Sequence, residues 1–162
     1  MSTDLRIERA PLDAPAAAAL MRALDEESQS RYPFDLSKHF RVDPDEFAPG
    51  RGLFVLAMAG GEAVGCGAIR LLPGNDAEIK RVYVAPAGRR KGVARAVLAV
   101  LEAEARSLGA SRMILETGNK QVEALALYRR EGFEEIPRYE PYVEAQHSVC
   151  MAKHLPNLLP AT

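Results

Sequence analysis

The chain lacks the features that would direct it to nucleic acid or into a membrane. Its 162 residues carry 21 lysines and arginines against 22 aspartates and glutamates, a formal net charge of −1. Because no overall field attracts a polyanion, we expect no nucleic-acid partner and no membrane partner. No segment approaches the roughly 20 apolar residues of a membrane span, and residues 1–4 lack the basic start of a signal peptide. These absences predict a cytoplasmic protein.

Cysteine and metal-ligand patterns are equally scarce. The two cysteines, Cys66 and Cys150, lie in apolar, strand-like runs without metal-binding spacing, so we expect buried and reduced thiols. The histidines His39, His147 and His154 share no spacing, and we assign them no role. The sequence therefore predicts that no metal is bound.

The order of the predicted elements indicates one domain, residues 1–162, built on a mixed sheet. Three apolar segments joined by short turns predict an antiparallel meander; they are 52–59, 63–72 and 77–84. A helical pattern over 92–108 precedes a strand at 112–116, and this crossover makes that strand parallel to the one before the helix. We expect an α/β fold of the α+β type, with a mostly antiparallel sheet of six to seven strands flanked by helices.

The remaining elements lie at the two ends of the chain. Alternation predicts a first strand at 5–9, and a helix from 13 to about 28 follows, with Asp13 as its cap. The expected C-terminal elements are a helix at 121–130, short strands at 133–136 and 147–152, and a loosely held tail at 156–162. An edge strand near this end offers a route to a homodimer.

The stretch from Val82 to Arg95 stands out from this balanced background. It reads as a strand, a turn rich in glycine and arginine, and the start of the 92–108 helix. Arg89, Arg90 and Lys91 put three consecutive cations where that helix begins. A helix start already carries unpaired N–H donors and about half a positive charge. The stretch therefore predicts a site for a phosphate-bearing ligand.

Two common phosphate motifs do not fit this turn. A P-loop needs Gly-x-x-x-x-Gly-Lys followed by Ser or Thr, whereas Gly88 and Gly92 have the wrong spacing. The Gly-x-Gly-x-x-Gly pattern of a dinucleotide-binding fold is absent. What remains is an Arg-x-x-Gly-x-Ala loop over 89–94, in which the small residues Gly92 and Ala94 let backbone amides approach a diphosphate.

Three segments together resemble the GNAT superfamily of acyl-CoA-dependent N-acetyltransferases. They are Glu78–Val84, the loop 89–94 and Ala124–Phe133, which contains Leu-Tyr-x-x-x-Gly-Phe, and they span about residues 76–135. The resemblance implies a fold with a splayed pair of parallel strands. It also implies acetyl-CoA as the acyl donor, with its pantetheine arm on one strand and its diphosphate on the loop amides. The implied cofactor-binding residues are Val82, Tyr83, Val84, Arg89, Arg90, Lys91, Gly92, Val93, Ala94 and Arg95, with either Asn119 or Gln121 as an amide contact.

Acetyl transfer to an amine poses two proton problems. The attacking amine must lose a proton, because an alkylammonium has a pKa near about 10, and the leaving thiolate must gain one. The resemblance implies Tyr128 as the proton donor. Glu78 and Glu116 compete for the role of general base, with Glu78 slightly favoured, and an ordered water in place of a residue stays open.

The acceptor is less sharply defined by the sequence. The pocket walls are predicted at 28–35 and 137–142, with Tyr32, Phe34, Arg70 and Tyr142 as substrate-binding candidates. We expect a primary amine of a small molecule, such as an amino acid or a derivative. A protein N-terminus or lysine remains an alternative acceptor, and a non-catalytic acyl-CoA-binding module remains an alternative function.

Overall fold

The computed structural model describes residues 4–37 and 42–156. Within these ranges, seven strands form one sheet and three α-helices flank it. The strands are β1 (Leu5–Arg9), β2 (Gly52–Ala59), β3 (Glu62–Leu71), β4 (Asp76–Val84), β5 (Arg112–Gly118), β6 (Glu134–Ile136) and β7 (Ser148–His154). The helices are α1 (Pro15–Ser30), α2 (Val93–Ser107) and α3 (Val122–Arg130), and short 3-10 segments cover Pro44–Phe47 and Pro86–Gly88.

The sheet has the order β1-β2-β3-β4-β5-β7-β6. Only the β4–β5 pair is parallel among its strand pairs, and the others are antiparallel. This arrangement confirms the predicted mixed sheet with its early antiparallel meander and its parallel step across α2. The three-residue strand β6 forms the edge near the C-terminus.

Two apolar clusters hold the helices to opposite faces of the sheet. The α2 stripe of Val93, Val97 and Leu101 packs into the larger cluster with the sheet and α3. Leu20 of α1 packs into the second cluster, with Phe54 among its buried partners. A Cβ atom at Gly67 of β3 would lie 2.5 Å from Cγ1 of Val97, so glycine is needed there for α2 to approach the sheet.

The parallel strands β4 and β5 separate halfway along their length. Their pairing runs from Asp76 opposite Arg112 to Ile79 opposite Leu115 and ends there. Just beyond this point β4 carries a bulge, at which Gly67 of β3 faces two residues and Arg81 adopts a φ of 61°. A bulge bends and twists its strand, so β4 diverges from β5 and a cleft opens between them.

The structure corrects some predicted boundaries. Asp13 does not cap the first helix: the N-cap is Ala14, no side chain caps it, and Pro15 fills the first turn. Strands β5 and β7 each run two residues past their predicted ends, to Gly118 and His154. His39 and most of the predicted tail lie outside the described residues. None of the helices in the described ranges is long and apolar enough to cross a membrane.

Candidate active site

A cleft of about 180 Å³ lies between the diverging ends of β4 and β5. Its walls also include α1, α3 and the segment before β7. The structure brings seven of the predicted site residues to its lining, namely Tyr32, Glu78, Val82, Glu116, Gln121, Tyr128 and Tyr142. Phe34, Arg70 and Asn119 are not part of this lining, and the 89–95 loop lies beyond β4 at the start of α2.

Glu78 lies in the cleft wall but is almost entirely enclosed by partners. Its carboxylate is 2% exposed. Nη2 of Arg70 lies 2.8 Å from its Oε1, and the Tyr139 hydroxyl donates to its Oε2 at 2.8 Å. Arg70 also pairs with Glu46, and Nζ of Lys80 lies 3.7 Å from Oε1 of Glu78. Both oxygens of Glu78 are therefore engaged by the protein itself.

Glu116 occupies the facing strand, in different surroundings. It lies on β5 just past the last residue that pairs with β4. The hydroxyl of Ser148, a buried residue at the start of β7, donates to Oε2 of Glu116 at 2.5 Å. This contact fixes the orientation of the carboxylate through a neutral hydroxyl.

Tyr128 reaches the cleft from α3. Its ring packs edge-on against Phe133 with 5.6 Å between centroids, and the residue is buried. Burial, together with the negative charge of Glu116, raises the pKa of the Tyr128 phenol well above its ordinary value. The phenol therefore keeps its proton at neutral pH and can act as a donor.

Aromatic rings form the walls away from α3. The Tyr32 ring lies 5.6 Å from that of Phe34 and 5.4 Å from that of His147, and its hydroxyl accepts from the Lys120 N–H at 3.1 Å. Phe34 is itself 44% exposed and contributes by supporting these rings. On the other side, the Tyr142 ring packs edge-on against that of Tyr139. This part of the cleft is thus lined by aromatic groups with polar edges.

Backbone geometry at the start of α2 leaves N–H groups of the helix without a capping side chain. Arg90 and Gly92 adopt positive φ angles of 63° and 77°, and no side chain caps the helix. The first N–H groups of α2 therefore have no acceptor within the helix. The exposed side chains of Arg90 and Lys91 add charge beside these donors.

The other two arginines of the turn have partners within the protein. Nη2 of Arg89 lies 2.6 Å from Oε2 of Glu27, and its Nε donates to the Val84 carbonyl at 2.9 Å. Arg95 is mostly exposed, with its Nε 3.4 Å from Glu131. The charge available to a ligand is thus concentrated on Arg90 and Lys91.

The two amides left open by the sequence occupy different positions. Gln121 lines the cleft, and its Oε1 accepts from Nη1 of Arg31 at 2.6 Å. Asn119 is engaged through its backbone, whose N–H donates to the His147 carbonyl at 2.7 Å. The position of Gln121 suits a cofactor contact better, and that contact stays a prediction.

Sequence reasoning missed Ser148 and His147, and it placed Tyr139 in the predicted pocket wall 137–142 without its contact to Glu78. His147 lines the cleft although we assigned it no role. Ser148 contacts Glu116, and Tyr139 contacts Glu78. Strand pairing is the signal that could have identified Ser148, because Ser148 lies opposite Gly118 at the end of β5. Among residues 4–37 and 42–156, no group of three or more His, Cys, Asp or Glu side chains could hold a metal ion.

Comparisons with known proteins identify related sequences and structures. The sequence profile of the Acetyltransferase (GNAT) family matches residues 17–133. An IAA acetyltransferase of Azospirillum brasilense is 36% identical over 141 residues, which cover 86% of this chain and 91% of that protein.

Solved structures extend the similarity to the fold. A protein described as an acyl-CoA N-acyltransferase, from Klebsiella pneumoniae, is 34% identical to this chain with a TM-score of 0.79. The match covers 93% of this chain and 97% of that one. A GNAT acetyltransferase from Elizabethkingia anophelis, solved with acetyl-CoA bound, shares the fold at 18% identity and a TM-score of 0.64. The match covers 93% of this chain and 98% of that one. The cleft, the turn before α2 and these relatives lead to one conclusion: the chain belongs to the Acetyltransferase (GNAT) family and is an N-acetyltransferase.

Proposed function

We propose that this enzyme moves the acetyl group of acetyl-CoA to the primary amine of a small molecule, by direct attack within a ternary complex. The observation that carries the proposal is the cleft between β4 and β5. A carboxylate, Glu116, and a protonated phenol, Tyr128, line the same opening. These are the two proton-handling groups that acetyl transfer to an amine requires.

The donor half of the site fits a nucleotide thioester. Beyond Ile79, the edge of β4 that faces β5 is not paired with it, so its backbone groups can bind an extended, amide-containing arm as an added strand would. The uncapped start of α2 supplies N–H donors for a diphosphate, and Arg90 and Lys91 supply charge for a further phosphate.

The reaction then proceeds in one transfer. The amine nitrogen attacks the thioester carbonyl carbon, and its proton passes to a carboxylate. The oxygen of the tetrahedral intermediate takes a hydrogen bond from a backbone N–H near Val82. The C–S bond breaks, and the sulfur takes the proton of Tyr128, which solvent later restores. The products are the N-acetylated amine and CoA with a free thiol.

Of the two candidate bases, Glu116 suits the role better. Glu78 is 2% exposed, and both of its oxygens are engaged by Arg70 and Tyr139. Glu116 is only partly buried and is oriented by a neutral hydroxyl, that of Ser148. The carboxylate of Glu116 is therefore the more accessible of the two to an incoming amine.

The shape of the cleft favours a small acceptor over a protein chain. Tyr32 crosses the end of β5 so closely that a Cβ atom added at Gly118 would collide with the Tyr32 hydroxyl. Tyr142 also lines the cleft. A peptide running through the site would have to displace one of these rings, whereas a compact amine would not.

The test is release of CoA from acetyl-CoA in the presence of amino acids, polyamines, aminoglycosides and peptides. We expect a subset of small amines to accelerate thiol release, with the N-acetylated amine identified by mass spectrometry. The Tyr128→Phe variant should lose most of this activity. If CoA binds but no amine accelerates its release, the proposed function is wrong.

A further inference from the structure

Lys80 brings a cation to the acceptor side of the cleft. It lies on β4, lines the cleft and is 14% exposed. Its Nζ donates to the Tyr142 hydroxyl at 3.2 Å and lies 5.9 Å from the centroid of that ring. The nearest polar contact of the ammonium is therefore a neutral phenol.

The charged groups near Lys80 form shorter ion pairs with other residues than with Lys80. Glu78 lies 2.8 Å from Nη2 of Arg70, against 3.7 Å from Nζ of Lys80. Arg81, the next residue of β4, lies 2.7 Å from Asp25. Arg70 is shared between Glu78 and Glu46, and Glu46 is 28% exposed and screened by solvent.

The surroundings of Lys80 do not fully compensate for its burial. Burial lowers the pKa of its ammonium, and the attraction of Glu78 only partly opposes that effect. A buried cation in this position gains from an additional anion. The ammonium and the Tyr142 hydroxyl, 3.2 Å apart, can both donate to the two oxygens of one carboxylate.

Glu116 lies across the cleft from this pair, on β5, close enough for its charge to act on Lys80. The two strands thus present a cation with a phenol on one side and a carboxylate on the other. An acceptor with a carboxylate next to its amine matches both sides, since its amine can approach Glu116 while its carboxylate contacts Lys80.

We propose that the acceptor is an aminocarboxylate, such as a free amino acid, whose carboxylate binds Lys80 and the Tyr142 hydroxyl. This inference rests on the proposed acetyl transfer and names its substrate class. Lys80 is then the residue that distinguishes an amino acid from an otherwise identical amine.

The test compares each amino acid with the amine that lacks only its carboxylate, for example phenylalanine with phenethylamine. We expect kcat/KM to favour the amino acid by at least about tenfold. The Lys80→Met variant should raise KM for the amino acid about tenfold or more and leave that of the decarboxylated amine unchanged. Lys80→Arg should restore part of the preference, because it restores the charge.

A matched control is the Lys153→Met variant. Lys153 lies on β7 outside the cleft lining and pairs with Glu102 of α2 at 2.7 Å. It should leave the preference unchanged. If Lys80→Met fails to fold, Tyr142→Phe removes the second donor, and its expected effect is a smaller loss confined to the amino acid.

Two results would overturn the inference while the proposed function survived. In the first, the wild-type enzyme acetylates the decarboxylated amine and the amino acid with equal kcat/KM. In the second, Lys80→Met lowers kcat/KM equally for both acceptors, which would mean that Lys80 serves only the Glu78 cluster. Absence of acetyl transfer to any amine is a different result and would reject the proposed function itself.

Discussion

Nη2 of Arg70 lies 2.8 Å from Oε1 of Glu78, which makes Glu78 the buried half of an ion pair. The two residues lie directly opposite each other on β3 and β4. Glu116, by contrast, is oriented by the hydroxyl of Ser148. We therefore propose separate roles for the two carboxylates of the cleft, in which Glu78 holds the site together and Glu116 accepts the proton of the amine.

Substitution of each glutamate by glutamine should separate these roles. Glu116→Gln should lower kcat by about 100-fold or more with little change in the free energy of unfolding. Glu78→Gln should cost about 3 kcal/mol of stability, because it leaves Arg70 without its buried partner. Urea unfolding and steady-state kinetics on both variants check this. The opposite pattern, in which Glu78→Gln abolishes turnover in a stable protein, would make Glu78 the base.

The pH dependence of kcat should reflect the surroundings of Tyr128. Burial and the charge of Glu116 raise the pKa of its phenol, so its proton is lost only at a pH above that of an ordinary tyrosine, about 10. We expect no decline of kcat from this group as the pH rises from about 8 to about 10 with saturating substrates. A falling limb near pH 9 that disappears in Tyr128→Phe would contradict this.

The cations of the turn before α2 should contribute unequally to donor binding. Arg89 pairs with Glu27 at 2.6 Å, whereas Arg90 and Lys91 are exposed at the helix start. The Arg90→Ala/Lys91→Ala variant should raise KM for acetyl-CoA about tenfold, with a smaller effect for acetyl-CoA that lacks its 3′-phosphate.

The control for this prediction is Arg129→Ala/Arg130→Ala, which removes two exposed arginines at the end of α3. It should leave both KM values near those of the wild type. Equal effects of the two double variants would show that the loop acts only through overall charge.

Both cysteines should be unreactive in the folded enzyme. Burial raises the pKa of Cys66 to about 12 and also raises that of Cys150, so few thiolates form at about pH 8. We expect Ellman's reagent to label neither residue until denaturant is added, when both should react. Rapid labelling of the native protein at either residue would show that its surroundings are more open than the structure indicates.

Much of the fold could be predicted from local patterns. Short turns between apolar segments predicted the meander, and the helical stripe of α2 predicted the parallel β4–β5 pair. The predicted cap of the first helix was wrong, because Asp13 lies one residue before the N-cap residue, Ala14. The residue at which a helix begins depends on how the helix packs, and the identity of one capping residue does not determine it.

The polar contacts of the site were harder to predict, because they join residues far apart in the chain. Lys80 and Tyr142 are 62 positions apart, and Glu116 and Ser148 are 32 apart. Glu78 and Lys80 are two positions apart on the same strand, a spacing that favours a salt bridge between them. The structure instead gives Glu78 a closer partner in Arg70, across the β3–β4 hairpin. Only the register of the sheet determines which pairing forms.

We propose that the acetyl group passes directly from acetyl-CoA to an amine in the β4–β5 cleft. Rapid-quench mass spectrometry of the intact enzyme and its products tests it most directly. With acetyl-CoA alone, we predict no acetylated enzyme; on addition of a reactive amine, CoA and N-acetylated amine should form together in equal amounts. An acetylated enzyme that transfers its acetyl group when the amine is added, or release of CoA without N-acetylated product, would show that direct transfer to the amine does not occur.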